Sequence, residues 1–396
     1  MWDRFSTTEM ERRLRLARDL MRERELVALL VFGNSGVNRH NHANVFWLTN
    51  HLDLHHAYLV LAADESVDPV LYIGLANHVP NAREISHVSV EWGGYDPAQR
   101  LAEWLTAVGA ARGRLGLVGV NATFGMGMPY EHHQRLFRSL PQLEPIDVTR
   151  DFGSLRLVKS DEEVEWLRKA AKLTDRAVNG LREEARPGMT EDELVAVAED
   201  AYRPYGGLPH ITFLRSMPMD SPTGCVPAQN PSGRIVGKGD VVITEISASY
   251  WGYSGQIHRP LFVAAEPTHE WRRLFDAAHE AYEELSRAVR AGATEADAVR
   301  AAAPIREAGY EIYDDLLHGY GVDILPPLVD RADVFGRKSE ATDGARFERN
   351  MAVVLQPNPI TPDERMGLQL GALTIVGDDG AASLHGVPFE PIVVGV

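Results

Sequence analysis

Two stretches of the chain repeat one another: LREEARPGMTEDELVAVAEDAYRPYGG (181–207) and LSRAVRAGATEADAVRAAAPIREAGY (285–310). Each reads as the end of a helix, a glycine turn (Gly188, Gly292), a Thr-Glu start signal (Thr190, Thr294) and a second helix. Behind each stands a strand signal, GDVVITE (239–245) and RNMAVVLQ (349–356). A helix pair followed by strands, used twice, buries its apolar faces against one shared sheet. The repeat therefore predicts a pseudo-two-fold C-terminal domain with Glu245 and Gln356 at related points on facing strands. Within it, Ser160 with Glu163 and Thr190 with Glu193 form capping boxes, and a long helix is expected over 269–292.

The first part of the chain has a different rhythm. A helical pattern over 7–24 precedes a buried strand at LVALLVFG (26–33), and further strands are expected at VFWLT (45–49), AYLVLAA (57–63), PVLYIG (69–74) and GRLGLVGV (113–120). A helix fits PAQRLAEWLTAVGA (97–110). The alternation predicts an α/β domain over 1–155, leaving 156–396 for the repeated domain, an α/β (α+β) chain overall. The 396 residues carry a net charge of -16, which argues against nucleic acid or an anionic membrane as the main partner. Cys225 is the single cysteine, so no intrachain disulfide is possible. The first residues form a charged amphipathic pattern without an apolar secretory core, and a cytoplasmic protein with no membrane partner is expected.

These pieces together resemble the creatinase, aminopeptidase P and prolidase family, whose C-terminal domain is the pita-bread fold. The resemblance rests on RLVKSDEEVEWLRKAA, on GDVVITEISASYWGYSGQIHRPLF, on LLHGYG (316–321), and on NMAVVLQPNPI (350–360) with TIVGDDGAASL (374–384). The ending LHGVPFEPIVV and the run NPSGRIVGKGD (230–240) look most like creatinase, the metal-free branch. The family's peptidases hold two divalent cations with two aspartates, a histidine and two glutamates. Carried over by motif, these positions fall on Glu245, Gln256, His318, Gln356 and Gly371. One carboxylate, one imidazole and two amides do not neutralise two divalent ions, and glycine offers no side chain at all. No metal and no cofactor is therefore expected, with a single ion on Glu245 and His318 as the remaining metal alternative.

Creatinase's own machinery is not matched either: its base falls near Ala228 or Gln229, and its guanidinium-gripping glutamates fall on His258 and Gln356. Creatine is not the expected substrate. What remains is a set of polar groups that the fold should turn into one pocket. His318, Glu245 and His258 are the catalytic candidates, with His318 for acid-base work and Glu245 to orient it or take the proton. Gln256, Gln356 and Gln369 are candidates for binding substrate, and Gln256 and Gln356 can donate to a developing oxyanion. In a second cluster, NRHNHANVFWLTNHLDLHH (38–56), five histidines (His40, His42, His51, His55, His56) fit no closed zinc spacing. The resemblance implies that Arg39, His55 or His56 reaches substrate in a neighbouring subunit, and hence a homodimer.

The expected function is a metal-independent hydrolase cleaving the C–N bond of a small neutral or anionic amide or urea. A lyase, a catalytically silent peptide- or ligand-binding relative, and a conventional metal-dependent Xaa-Pro peptidase are the alternatives.

Overall fold

The computed structural model describes residues 3–34, 42–120, 127–335 and 346–396. The chain divides into two compact units, Met1–Arg156 and Leu157–Val396. In the first, strands β1 (Leu26–Asn34), β2 (His56–Ala62), β3 (Val70–Ile73), β4 (Ser89–Trp92), β5 (Gly113–Val118) and β6 (Leu143–Asp147) form a sheet in the order β4-β3-β2-β1-β5-β6. β1 runs antiparallel to β2 and parallel to β5, the mixture expected when helices and hairpins alternate. Apolar clusters cover both faces, Leu29, Val31, Leu59 and Trp47 on one and Leu30, Phe32, Val60 and Leu101 on the other.

One expected strand is a helix. VFWLT lies inside Ala43–Thr49, which ends on Asn50 in the left-handed region (φ 63), with the Asn50 N–H on Phe46 O. Its apolar residues are buried on nearly every side, so its hydrophobicity carries no period that separates strand from helix.

In the second unit the strands are β7 (Leu208–Pro218), β8 (Asp240–Tyr250), β9 (Tyr253–His258), β10 (Leu261–Val263), β11 (Glu311–Ile312), β12 (Leu317–Gly319), β13 (Leu325–Val329), β14 (Ala352–Leu355), β15 (Pro359–Ile360), β16 (Gly371–Val376), β17 (Ala381–Ser383) and β18 (Ile392–Val394). Its main sheet runs β13-β12-β14-β16-β9-β8-β10-β18, with β7 on β8 and β17 on β16. The repeat has a structural counterpart. Gly188 N–H bonds Val236 O and Gly292 N–H bonds Phe347 O, each at 2.8 Å, and both glycines have positive φ. Thr190 bridges Ile235 just as Thr294 bridges Arg346, and both threonines close capping boxes, Thr190 on Glu193 and Thr294 on Asp297.

The helix Asp161–Glu184 starts at the Ser160–Glu163 capping box and lies against the β8–β9 hairpin. Thr174 Oγ1 accepts from Ala248 N–H and donates to Gly255 O, which fixes the hairpin to the helix. A Cβ at position 255 would stand 2.6 Å from Ala171 Cα, so only glycine allows this approach. Arg259, fully buried, donates to the carbonyls of His258, Gly371, Val387 and Pro388, tying β9, β16 and the segment before β18 together. No helix among the described residues is long and apolar enough to cross a membrane.

Candidate active site

The register of the main sheet decides which side chains meet. Ser247 lies opposite Gln256, His258 opposite Gly371, Leu355 opposite Ala372, and His318 opposite Val354. Because side chains alternate along each strand, Glu245, Gln256, His258, Gln356 and His318 all rise from one face, with Gly371 among them. The repeat and the period of two thus bring together five residues spread over more than a hundred positions.

Gln256 is the centre of the group. Its amide nitrogen donates to Glu245 Oε1 at 2.9 Å and lies 3.2 Å from His258 Nε2, while its oxygen lies 3.3 Å from His318 Nε2. On its other edge, His318 Nδ1 meets Asp315 Oδ1 at 2.9 Å. Asp315 is held in turn by the Gln356 amide, which donates to the same oxygen at 2.8 Å. These contacts agree on one proton arrangement. His318 as an imidazolium donates from both nitrogens, and neutral His258 accepts from Gln256 at Nε2 and carries its proton on Nδ1.

The electrostatics support the same assignment. Burial pushes the Glu245 carboxyl up to about 7, helped by nearby Asp314. Burial also pulls His258 down to about 3. Burial alone would lower His318 too, but Asp315, Glu245 and Asp314 together outweigh it and raise its pKa. Partial desolvation of its carboxyl and the charge of Asp315 raise Asp314. Glu245 is half-buried and Asp314 exposed, whereas His258, His318 and Gln356 are buried.

Several expectations change in detail. Glu245 does not touch His318; Gln256 stands between them, and Asp315 does the orienting. Sequence reasoning missed Asp315, although an acid three residues before the histidine in DDLLHG was a usable signal. The amide N–H groups of Gln256 and Gln356 are already engaged on Glu245, His258 and Asp315, so the oxyanion-donor role expected of them is not prepared. Gln369 is buried two residues before Gly371, and its Oε1 has no hydrogen-bond partner among the described residues. Ala228 serves in backbone pairing with Leu214. His55 and His56 belong to the N-terminal unit, where the His56 ring lies 5.6 Å from that of His132, whose Nδ1 is 2.6 Å from Tyr58 OH. Arg39 and His40 lie outside the described residues.

The donor set does not fit the two-metal centre that the resemblance implies. Among the described residues no group of three or more His, Cys, Asp or Glu side chains is placed to hold a metal ion. Nor is position 371 merely short of a side chain. A Cβ there would stand 2.6 Å from Leu355 O and 3.0 Å from Gln356 Cα, both backbone atoms. β14 has closed to a distance that glycine alone permits, and a glutamate cannot be put back without moving a strand.

Comparison with known proteins settles the lineage. Residues 165–390 match the model of Metallopeptidase family M24, and residues 13–158 match the Creatinase/Prolidase N-terminal domain. The chain belongs to Metallopeptidase family M24. It is 28% identical to the "Probable dipeptidase PepE" of Mycobacterium tuberculosis over 75% of this chain and 77% of that protein. It is 26% identical to the Xaa-Pro dipeptidase of Pyrococcus furiosus over 60% of this chain and 65% of that one. Among solved structures, the X-Pro aminopeptidase of Thermotoga maritima superposes with a TM-score of 0.80 at 19% identity, covering 96% of this chain and 99% of the other. The dipeptidase PepE of Mycobacterium ulcerans gives 0.77 at 24% identity over the full length of both. These structural likenesses establish the pita-bread fold; the site has to be read from its own residues.

Proposed function

We propose that this chain is a hydrolase that cleaves a C–N bond of a small molecule without a two-metal centre, using Glu245 as general base and His318 as general acid. The observation that carries this reading is the hydrogen-bonded chain Asp315–His318–Gln256–Glu245. A carboxyl near pH 7 is matched to taking a proton from water at neutral pH. An imidazolium held by Asp315 is matched to giving one to a departing nitrogen. Gln256 keeps the two apart, so the proton is not passed directly from acid to base before substrate arrives. The relatives' names, dipeptidase and Xaa-Pro dipeptidase, support hydrolysis of an amide-type bond on this scaffold. A metal-dependent Xaa-Pro peptidase is the second reading, favoured by those names and opposed by the closed position at Gly371.

The test is a screen of small amides, ureas, amidines and Xaa-Pro dipeptides against the purified chain, after chelation and again with added manganese or cobalt. Release of ammonia or amine is expected to survive chelation and to fall about 10²–10⁴-fold in His318→Ala. Cleavage of Xaa-Pro dipeptides that appears only with metal would establish the second reading instead. Saturable binding with no product in any arm would make the chain a silent binding relative.

A further inference from the structure

The two copies of the repeat differ where their helix pairs meet. In the first copy the crossing is closed. A Cβ at Gly180 would stand 2.8 Å from Ala201 Cβ and 3.4 Å from Val197 O, so the helix Asp161–Glu184 lies directly on the helix Glu191–Asp200. Met189 belongs to the apolar cluster there with Leu181 and Leu194, and Arg186 turns back to donate to Glu184 O at 3.0 Å. In the second copy the equivalent positions carry Glu284 for Gly180, Ala293 for Met189, Arg300 for Ala196 and Ala301 for Val197. Where the helices His269–Ala288 and Glu295–Ala301 meet, these residues line a cavity of about 330 Å³, together with Arg290 and Asp297.

The charges around this cavity are not evenly matched. Glu284 is paired with Arg287 at 2.7 Å. Asp297 accepts from the Thr294 N–H at 2.7 Å and from Thr294 Oγ1 at 2.8 Å, and its other oxygen takes Arg300. Both acids are thus compensated within the protein. Arg300 keeps further N–H donors beyond the one on Asp297. Arg290, the counterpart of Arg186, is exposed, and among the described residues no hydrogen bond or ion pair engages its guanidinium. In a chain with a net charge of -16, an unmatched guanidinium lining a cavity is a place where an anion is favoured over a cation. Two guanidiniums on one cavity suit a carboxylate or a phosphate, whose oxygens take paired N–H donors. The volume lies at the lower end of small-molecule sites, which run from about 300 to 1,000 Å³.

We propose that this cavity is a binding site for a small oxyanion, a carboxylate or a phosphate, held by Arg290 and Arg300. It uses no residue of the main-sheet site and stands apart from the hydrolase reading. The first copy has no equivalent, because Met189 and the contact at Gly180 take up the space and Arg186 is turned onto its own helix. The pseudo-symmetry therefore gives one such site per chain and not two.

The experiment is isothermal titration of the full chain in Tris chloride at fixed ionic strength, with sodium acetate and sodium phosphate as the probes. At least one of them is expected to bind saturably at one site per chain, with affinity weaker by about fivefold in Arg290→Gln, the upper end for one exposed charge pair. Arg186→Gln is the control. It removes the same charge from the equivalent position of the first copy and should leave the affinity unchanged. Both arginines are exposed, and unchanged melting temperatures for the variants show that a loss is not unfolding. Acetate binding alone marks a carboxylate ligand, phosphate binding alone a phosphate ligand, and either supports the site. Saturable binding of neither probe overturns the inference, as does binding indifferent to Arg290→Gln. Equal losses in the two variants would also overturn it, since they would report only the general pull of surface charge.

Discussion

Gly371→Ala tests the claim that the metal site is closed by backbone and not only by missing acids. The added methyl would sit 2.6 Å from Leu355 O, 3.0 Å from Gln356 Cα and 3.1 Å from Gln356 Cβ, where ordinary contact begins at 3.4 Å. The two nearest atoms are backbone in the middle of a sheet, so relief requires β14 and β16 to part rather than a side chain to swing. Overpacking of this kind costs about 1–3 kcal/mol. For a unit of this size each kcal/mol lowers the melting temperature by about 2–4 °C, so a fall of about 2–12 °C is expected. Gly237→Ala is the control: its new methyl meets Asp240 at 3.7 Å, an ordinary contact, and its shift should stay within about 0.5 kcal/mol. Both are read by calorimetry under one buffer. If Gly371→Ala melts with the wild type, the strands can separate freely, and the steric half of the argument against a two-metal centre is refuted.

Two further outcomes bear on the same residues. Restoring acids on the strands (Gln256→Asp with Gln356→Glu) leaves position 371 closed. Elemental analysis after incubation with manganese should still find fewer than two ions per chain; two tightly held ions would show that Gly371 is no obstacle. The second concerns pH. Glu245 holds its proton in the folded state up to about 7, well above its unfolded value of 4.5. Its contribution is therefore fully present below the unfolded value and is lost as pH rises through 7. Relative to Glu245→Gln, the wild type should gain stability in urea unfolding as pH falls from 8 to 5; a difference that stays constant would mean the Glu245 carboxyl is not desolvated in the folded state.

The fold was legible because its strongest signals are local. Capping boxes at Ser160 and Thr190, glycine turns at 188 and 292 and alternating strand residues are each written within a few positions, and their order is specific to the family. The site was legible to the extent that period-two alternation fixes a face, which brought Glu245, Gln256, His258, Gln356 and His318 together. Two things were not written that way. VFWLT has four apolar residues in a row, so no period in its hydrophobicity chose helix over strand. The hydrogen-bond partners depend on side-chain reach across strands: Gln256 rather than Glu245 meets His318, and Asp315 enters from a turn that no strand pattern marks.

Arg259 reaches forward about 130 positions to the carbonyls of Val387 and Pro388, and it also holds those of His258 and Gly371. A chain emerging from the ribosome has His258 in hand long before Val387 exists, so the guanidinium must wait, hydrated, for its far anchors. Contacts across such a span form late, because loop closure comes before they reward it. Nascent chains halted before position 387 would carry every acid and histidine of the site without the full set of Arg259 anchors that ties β9 and β16 to the segment before β18.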